Sequence, residues 1–299
     1  MRTLLVGYGY WGKIIENYII KNKDFELIDI YYRTKYKNQS LEEILDKEKI
    51  EAVFICTPIE THYGICKICI KRKIHVFCEK PLCKSSAENI KLYNLTKEYN
   101  VVLYTDYIYC ISSSINYIKN KIDKIGALNN IRFQLSQFGN FYQNDDVWDV
   151  LGVHYFSILF YLFPSLTVSN IEIKILHKNN TCHNKDESSF VIFETTNNTL
   201  IEIYVSIVSA DKQRKIEISG DKGSILFDML SKNSIIHLTY NEKNIALTNK
   251  EKYSFDENNN LVKALSDFSS CILNKDYKNN QRISTQTTKL LEKIHSYDN

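Results

Sequence analysis

Three glycines, Gly7, Gly9 and Gly12, stand as G-x-G-x-x-G directly behind the apolar run Leu4-Leu5-Val6. Directly after them Ile14, Ile15, Tyr18 and Ile19 recur at helical spacing. A strand, a glycine turn and a helix in that order open a dinucleotide-binding βαβ unit. Gly7 permits the tight turn, Gly9 admits a pyrophosphate against the backbone, and Gly12 lets helix and strand pack closely. The helix that starts at Tyr10 and Trp11 would aim unpaired N–H groups and the positive end of its dipole at the phosphates. Those two residues therefore join the glycines as expected cofactor contacts. With only 9 glycines in 299 residues, composition alone would produce the motif in on the order of 1 such chain in 100.

The next segments repeat the pattern. Phe25 to Tyr32 reads as a second strand, and Ser40 with Glu43 three residues on reads as a capping box opening a helix to about Lys47. Ala52 to Cys56 is a continuous apolar run, a buried strand ending in Thr57-Pro58 and a loop through Glu60, Thr61 and His62. A helix from Tyr63 to Arg72 precedes the strand His75 to Cys78, which ends in Glu79-Lys80-Pro81. Alternating strands and helices define an α/β, doubly wound parallel sheet. Ligands of such sheets bind beyond the carboxyl ends of the strands. Gly7, Tyr32, Thr57, Glu79 and Lys80 all fall there. Two of the chain's 3 prolines, Pro58 and Pro81, stand at these ends as well.

The end of the second strand is where a carboxylate would meet the adenine ribose of NAD. Tyr32 and Arg33 occupy that place, with Lys35 and Lys37 close behind, and Asp29 faces the other side of the strand by alternation. The missing carboxylate and the guanidinium lean to NADP, with NAD as the alternative.

The glycine motif, Thr57-Pro58 with His62, and Glu79-Lys80-Pro81 resemble, in order and spacing, the Gfo/Idh/MocA oxidoreductase family (glucose–fructose oxidoreductase, inositol dehydrogenase and relatives). The resemblance covers the whole N-terminal half. It implies that Lys80 contacts both the nicotinamide side and a substrate hydroxyl, that Lys80–Pro81 is cis, and that Asp106-Tyr107 lies where the chain crosses into a second domain. The expected domains are residues 1–107, which bind dinucleotide, and 108–299, for substrate and subunit contacts.

In the second half, Asp145 to His154 followed by an apolar helix resembles the family's D-x-x-x-H signature, whose Asp and His face the substrate. His154 fits. Four residues before it is Val150, and Asp149 is five before, a step that turns a side chain away on a regular helix. Either the helix starts later and Asp149 reaches in from a loop, or the carboxylate role is absent. From Ser169 onward, short alternating strands argue a large, mostly antiparallel sheet, and two helical patterns, around 262–273 and 284–295, close the chain. The family commonly uses the open face of this sheet between subunits, which implies a homo-oligomer.

A net charge of +3 gives no electrostatic argument for nucleic acid. The longest apolar run, around Tyr155 to Pro164, is too short to span a bilayer. The 8 cysteines, with no export signal, imply reduced thiols in a cytoplasm. No metal site is expected. Cys66-x-x-Cys69 lacks a second ligand pair and reads as two buried apolar residues, and Cys182-His183 has no evident partners.

The expected activity is hydride transfer between a nicotinamide and a secondary hydroxyl or ketone of a sugar, cyclitol or nucleotide-linked sugar. His154 would serve as base, Lys80 as holder of the substrate oxygen, and Asp149 as the group orienting His154. The alternatives are a non-catalytic dinucleotide-binding sensor or subunit, and a reductase of a non-sugar carbonyl or imine.

Overall fold

In a computed structural model the chain forms two packing units, Met1–Ile108 together with Asn259–Asn299, and Tyr109–Asn258. The structure describes residues 1–139, 146–168, 171–179, 187–196, 198–241 and 246–298. The first unit carries β1 (Arg2–Val6), α1 (Tyr10–Lys21), β2 (Glu26–Tyr31), α2 (Leu41–Glu48), β3 (Ala52–Ile55), α3 (Ile59–Lys71), β4 (His75–Cys78), α4 (Ser86–Tyr99) and β5 (Leu103–Thr105). The second carries α5 (Ser113–Lys121), β6 (Leu128–Phe138), α6 (Val153–Leu162), β7 (Ile171–Asn179), β8 (Ser188–Thr195), β9 (Leu200–Ser206), β10 (Val208–Gly220), β11 (Gly223–Asp228), β12 (Ser234–Tyr240) and β13 (Leu247–Ser254). α7 (Asn260–Asn274) and α8 (Lys278–His295) return to the first unit.

The first sheet has the order β2-β1-β3-β4-β5 with every pair parallel. Its inner strands are apolar on both faces because helices cover both. One face sends Leu4, Val6, Val53, Ile55, Val76 and Cys78 into a core shared with Leu41, Cys66, Cys69 and Leu92 of the helices. The opposite face is aromatic. Phe54 and Phe77 lie 4.9 Å apart and Phe77 and Tyr104 5.5 Å apart, ring centre to ring centre. The Phe268 ring on α7 sits within 5.8 Å of Phe25, Phe54, Phe77 and Tyr104.

That aromatic seat explains how the packing divides the chain. The sequence pattern puts 108–299 in one domain, and in the structure 259–299 pack with the dinucleotide-type sheet. Phe268 is fully buried there, and burying a phenyl ring of that kind stabilises by about 2–3 kcal/mol. A helix about half the chain away from β5 is needed to close the aromatic face.

Local signals behave as their chemistry requires. Ser40 accepts the Glu43 N–H at 3.2 Å while the Glu43 carboxylate accepts the Ser40 N–H at 2.9 Å, a complete capping box. α3 starts at Ile59, earlier than the pattern from Tyr63 indicates. Pro58, with φ fixed at −60°, caps it, and the polar first turn through Glu60, Thr61 and His62 reads as loop although it is helix. Cys66 and Cys69 are buried free thiols. Cys182 and His183 lie outside the described residues.

The second unit is a sheet of order β13-β12-β11-β10-β6-β9-β8-β7. All its pairs are antiparallel except β6 with β9. α6 packs on the buried face: the Tyr155 ring lies 4.9 Å from Phe133, and its hydroxyl donates toward the carbonyls of Gln134 at 2.7 Å and Lys215 at 3.2 Å. The open face carries an exposed ion row, Arg132 with Glu202 at 2.6 Å and Glu217 at 3.9 Å. Among the described residues, no helix is long and apolar enough to cross a membrane.

Candidate active site

The glycine turn is built as its spacing demands. Gly7 has φ +97°, and a Cβ there would come within 2.5 Å of the Cys56 carbonyl oxygen. A Cβ on Gly12 would collide with the Gly7 carbonyl, so a larger residue would push α1 off the sheet. Gly9 meets nothing within 4 Å; its lack of a side chain opens space. Gly9 is also the N-cap of α1, with no side-chain hydrogen bond to that helix end and no acidic residue in its first turn. Open backbone N–H groups, a bare cap and no competing carboxylate fit a pyrophosphate. Tyr10 and Trp11, at the helix start, are exposed.

At the end of β2, Tyr32 stacks on Tyr8 of the glycine turn, with ring centres 5.5 Å apart and planes 25° apart. Arg33 is exposed beside it. Lys35 is committed to Asp29, which also accepts a hydrogen bond from Tyr36. Burial pushes the Asp29 carboxyl up, but the hydrogen bonds from Lys35 and Tyr36 outweigh it and hold the group below the usual carboxylate range. Of the basic residues read from the sequence as phosphate partners, Arg33 therefore remains the better placed than Lys35.

The ends of β3, β4 and β5 bring the ionisable groups of the first unit together. Cys78 pairs with Thr105 across β4 and β5, so the next residues, Glu79 and Asp106, leave the sheet side by side. Their backbones are pinned: the Glu79 N–H donates to the Ile55 carbonyl at 3.0 Å and the Asp106 N–H to the Cys78 carbonyl at 2.9 Å. Both carboxyls are buried, at 9% and 4% exposure. Burial pushes Glu79 up to about 7, against the pull of the Lys80 ammonium and the Lys80 N–H. Burial also drives Asp106 well above the carboxylate range, Glu79 adding to it and Lys80 opposing. Lys80 itself is half-buried, and Lys80–Pro81 is cis, as the motif implied.

His62 joins two of these strand ends. It is 1% exposed, with Nδ1 3.0 Å from the Pro81 carbonyl oxygen and Nε2 2.8 Å from that of Thr57. Burial lowers its pKa while the two carbonyls pull the other way. The ring ties the turn after β3 to the turn after β4. Thr57 adds a hydroxyl contact with Thr61 at 2.7 Å, and Pro58 is exposed at the head of α3.

In the second unit, the segment Trp148–Gly152 is a π turn that leads directly into α6. Asp146 caps it: its Oδ1 accepts the N–H groups of Trp148 at 2.8 Å and Asp149 at 3.0 Å. A π turn closes i→i+5 hydrogen bonds, and this one carries Asp149 and ends two residues before His154. Asp149 is 7% exposed. The His154 ring, half-buried on α6, meets Tyr109 edge to face at 5.0 Å.

Two neighbours of these groups went unread in the sequence. In the sequence Asp106 marks only the crossing between domains, although the strand-end rule that applies to Glu79 applies equally to the residue after β5. Tyr109 carries no motif, and its contact with His154 depends on tertiary packing alone.

Comparison with known proteins agrees with this architecture. Residues 1–107 match the Gfo/Idh/MocA model described as the oxidoreductase family with an NAD-binding Rossmann fold, and residues 142–297 match the same family's C-terminal alpha/beta domain. The chain belongs to the Gfo/Idh/MocA oxidoreductase family. It is 29% identical over 104 residues to an uncharacterized oxidoreductase of Escherichia coli K12, covering 35% of this chain and 32% of that protein. It is 35% identical over 65 residues to the myo-inositol 2-dehydrogenase of Thermotoga maritima, covering 22% of this chain and 20% of that protein. The matched stretches thus span about a third or less of the length of these two curated relatives. The UDP-N-acetylglucosamine 3-dehydrogenase of Acidithiobacillus ferrooxidans has the same fold, with a TM-score of 0.82 at 17% identity over 100% of this chain and 99% of that one.

Proposed function

We propose that this chain is an NAD(P)-dependent dehydrogenase or reductase that interconverts a secondary hydroxyl and a ketone on a sugar, cyclitol or nucleotide-linked sugar. The observation that carries the reading is Lys80, an ammonium set against two buried carboxyls at the strand ends of the unit that holds the bare glycine turn. The names of the Thermotoga and Acidithiobacillus relatives support a polyol or sugar substrate.

On this reading Gly7, Gly9 and Gly12 with the first turn of α1 hold the pyrophosphate, and Tyr32 and Arg33 receive the adenosine end. Arg33 in place of a carboxylate favours the 2′-phosphate of NADP. Bound nicotinamide supplies hydride exchange at the substrate carbon. Lys80 holds the substrate oxygen and stabilises the charge that develops on it. His154 takes or returns the hydroxyl proton, a task suited to an imidazole near neutral pH. Asp149 orients His154, with the π turn accommodating their spacing.

A homo-oligomer is part of the same reading. Phe190 pairs with Tyr204, and Leu226 with Ile236, on the open face of the second unit's sheet. These half-buried apolar pairs flank the ion row and suit a subunit contact; sedimentation showing a monomer at micromolar concentration would exclude it.

The test of the activity is a screen of NADH and NADPH consumption against ketosugars and nucleotide-linked ketosugars. Turnover on at least one, with NADPH preferred, is expected. Tight binding of either dinucleotide with no turnover on any candidate would favour a non-catalytic sensor. Turnover confined to non-sugar carbonyls or imines would favour that reductase class.

A further inference from the structure

Arg214, on β10, is a half-buried cation without a counter-charge. Three other arginines have one: Arg2 lies 3.6 Å from Glu48, Arg72 2.8 Å from Asp46 and Arg132 2.6 Å from Glu202. Among the described residues, no carboxylate forms an ion pair with Arg214. Its guanidinium donates from Nη2 to the Gln137 Oε1 at 2.8 Å, a neutral acceptor. Asp228, opposite the neighbouring Lys215, turns its Oδ1 to the N–H groups of Leu230 at 2.9 Å and Ser231 at 3.3 Å. A guanidinium offers five donors in a fixed plane and stays charged at every working pH. Partly withdrawn from water, it favours an anion.

The register puts this charge on the helix-covered face of the second sheet. Arg214 pairs with Leu135 as Ile216 pairs with Phe133 and Ile218 with Ile131, and those five apolar side chains are buried. Side chains alternate across a strand, so Gln137 shares the face with Leu135. The face thus turns from apolar to polar at one end of β6 and β10. The first turn of α6 lies over that end: the Tyr155 hydroxyl donates toward the Gln134 and Lys215 carbonyls. At the other end of β6, Phe163, just beyond α6, shares a small cavity with Leu128 and Ile131. α6 therefore runs antiparallel to β6 and carries His154, one residue before Tyr155, toward the polar end. Burial raises the Tyr155 pKa, with the Arg214 charge opposing and Tyr109 adding to it, so both groups lie within electrostatic reach of that hydroxyl. The Tyr109 ring is also the one that meets His154 at 5.0 Å.

We propose that Arg214, steadied by Gln137, is a specificity-determining residue that binds an anionic oxygen group of the substrate, the carboxylate of a sugar acid or the phosphate of a nucleotide-linked sugar. This rests on the dehydrogenase reading and narrows its substrate class, since neutral sugars and cyclitols would leave the guanidinium without a charged partner. The planar fork matches carboxylate and phosphate oxygens two at a time. A neutral amide holds that fork in place without cancelling its charge, which a carboxylate at position 137 would do.

Isothermal titration calorimetry of the full-length protein, saturated with NADPH, tests this without turnover. The probes are methyl glucuronide and UDP-glucose, each against the neutral methyl glucoside. In the wild type at least one anionic probe should bind about 10-fold or more tighter than methyl glucoside. Preference for methyl glucuronide alone identifies a sugar acid, and preference for UDP-glucose alone a nucleotide-linked sugar. Arg214→Gln should weaken the preferred anion by about 10- to 100-fold and leave methyl glucoside within about twofold. Arg214→Lys, which keeps the charge and loses the fork, should recover part of the loss. No preference for either anion in the wild type, a result that needs no variant to fold, overturns the proposal. So does a preference that folded Arg214→Gln leaves intact. Arg214-dependent binding with no turnover of any sugar, charged or neutral, would sink the dehydrogenase reading and leave the anion site standing. Turnover of neutral sugars alone, at the same kcat/KM in the wild type and Arg214→Gln, would sink the anion site alone.

Discussion

The Val153 N–H donates to the Trp148 carbonyl, five residues back. That reach widens the turn immediately before α6, in the segment that carries Asp149. π turns of this kind are common where a side chain must be re-aimed at a site. The turn has a steric key in Gly152, where a Cβ would come 2.5 Å from Cε3 of the Trp148 ring. Trp148 cannot give way, being fully buried and stacked on Phe156 at 5.5 Å. Gly152→Ala should destabilise the second unit by about 1–3 kcal/mol, measured by urea unfolding, and lower kcat more than it raises KM. An Ala variant as stable and active as the wild type would show that the Trp148–Gly152 contact does not set the turn.

The strand-end carboxyls and the clamp histidine pull stability in opposite directions with pH. Glu79 has its folded pKa raised from 4.5 to about 7. Between those values the folded chain binds more protons, so this group's contribution falls as pH rises, on the order of a few kcal/mol in total. His62 has its folded pKa lowered from 6.5, so its contribution is present above 6.5 and lost as pH falls below it. Glu79→Gln should therefore gain stability relative to the wild type at pH 8 and not at pH 5. Urea midpoints at the two pH values check the sign, and an equal effect at both would contradict the raised pKa.

Phe268 joins α7 to four aromatic side chains on the first sheet. Phe268→Ala should cost about 3–5 kcal/mol. Because that face belongs to the dinucleotide-type unit, the variant should expose backbone amides of β3 and β4 to hydrogen exchange while β9 and β10 stay protected. Loss of protection in β9 and β10 instead would argue against the assignment of α7 to the first unit.

Asn280 satisfies both backbone groups of Thr105. Asn280→Ala leaves the buried Thr105 N–H unpaired, while the Thr105 carbonyl keeps the Tyr107 N–H at 2.9 Å; the cost is about 1–3 kcal/mol, a loss that differential scanning calorimetry would register as a lower Tm. Asn280→Asp keeps only the acceptor half and should fall between the two. No change in Tm for the Ala variant would mean that the β5 edge finds other partners.

The parts legible in the sequence are those written in short-range chemistry. β1, β3 and β4 are buried on both faces, so each appears as an apolar run ended by Gly7, Pro58 or the Glu79-Lys80-Pro81 turn. The capping box at Ser40 needs only four residues to be read. β13 was not legible, since its residues Leu247 to Ser254 show no alternation. Its exposed Lys250 and Lys252 suit an edge strand that must not pair further. The docking of 259–299 on the first sheet was hidden for another reason: the amphipathic pattern of α7 says that a face is buried, and nothing local says against what. The π turn was invisible because its cause, Trp148 lying over Gly152, is a packing contact. Asp106 carries no local signal, because the burial of its carboxyl, with Oδ1 lacking a hydrogen-bond partner among the described residues, exists only once β4 and β5 are side by side.

The central claim is that the Lys80 ammonium does chemistry and does not merely hold the fold. Lys80→Met keeps the length of the side chain and removes the charge. Dinucleotide binding, followed by fluorescence, should remain within a few-fold of the wild type while kcat on the best substrate drops by about 10²–10⁴-fold. Turnover by Lys80→Met at the wild-type rate would contradict the account.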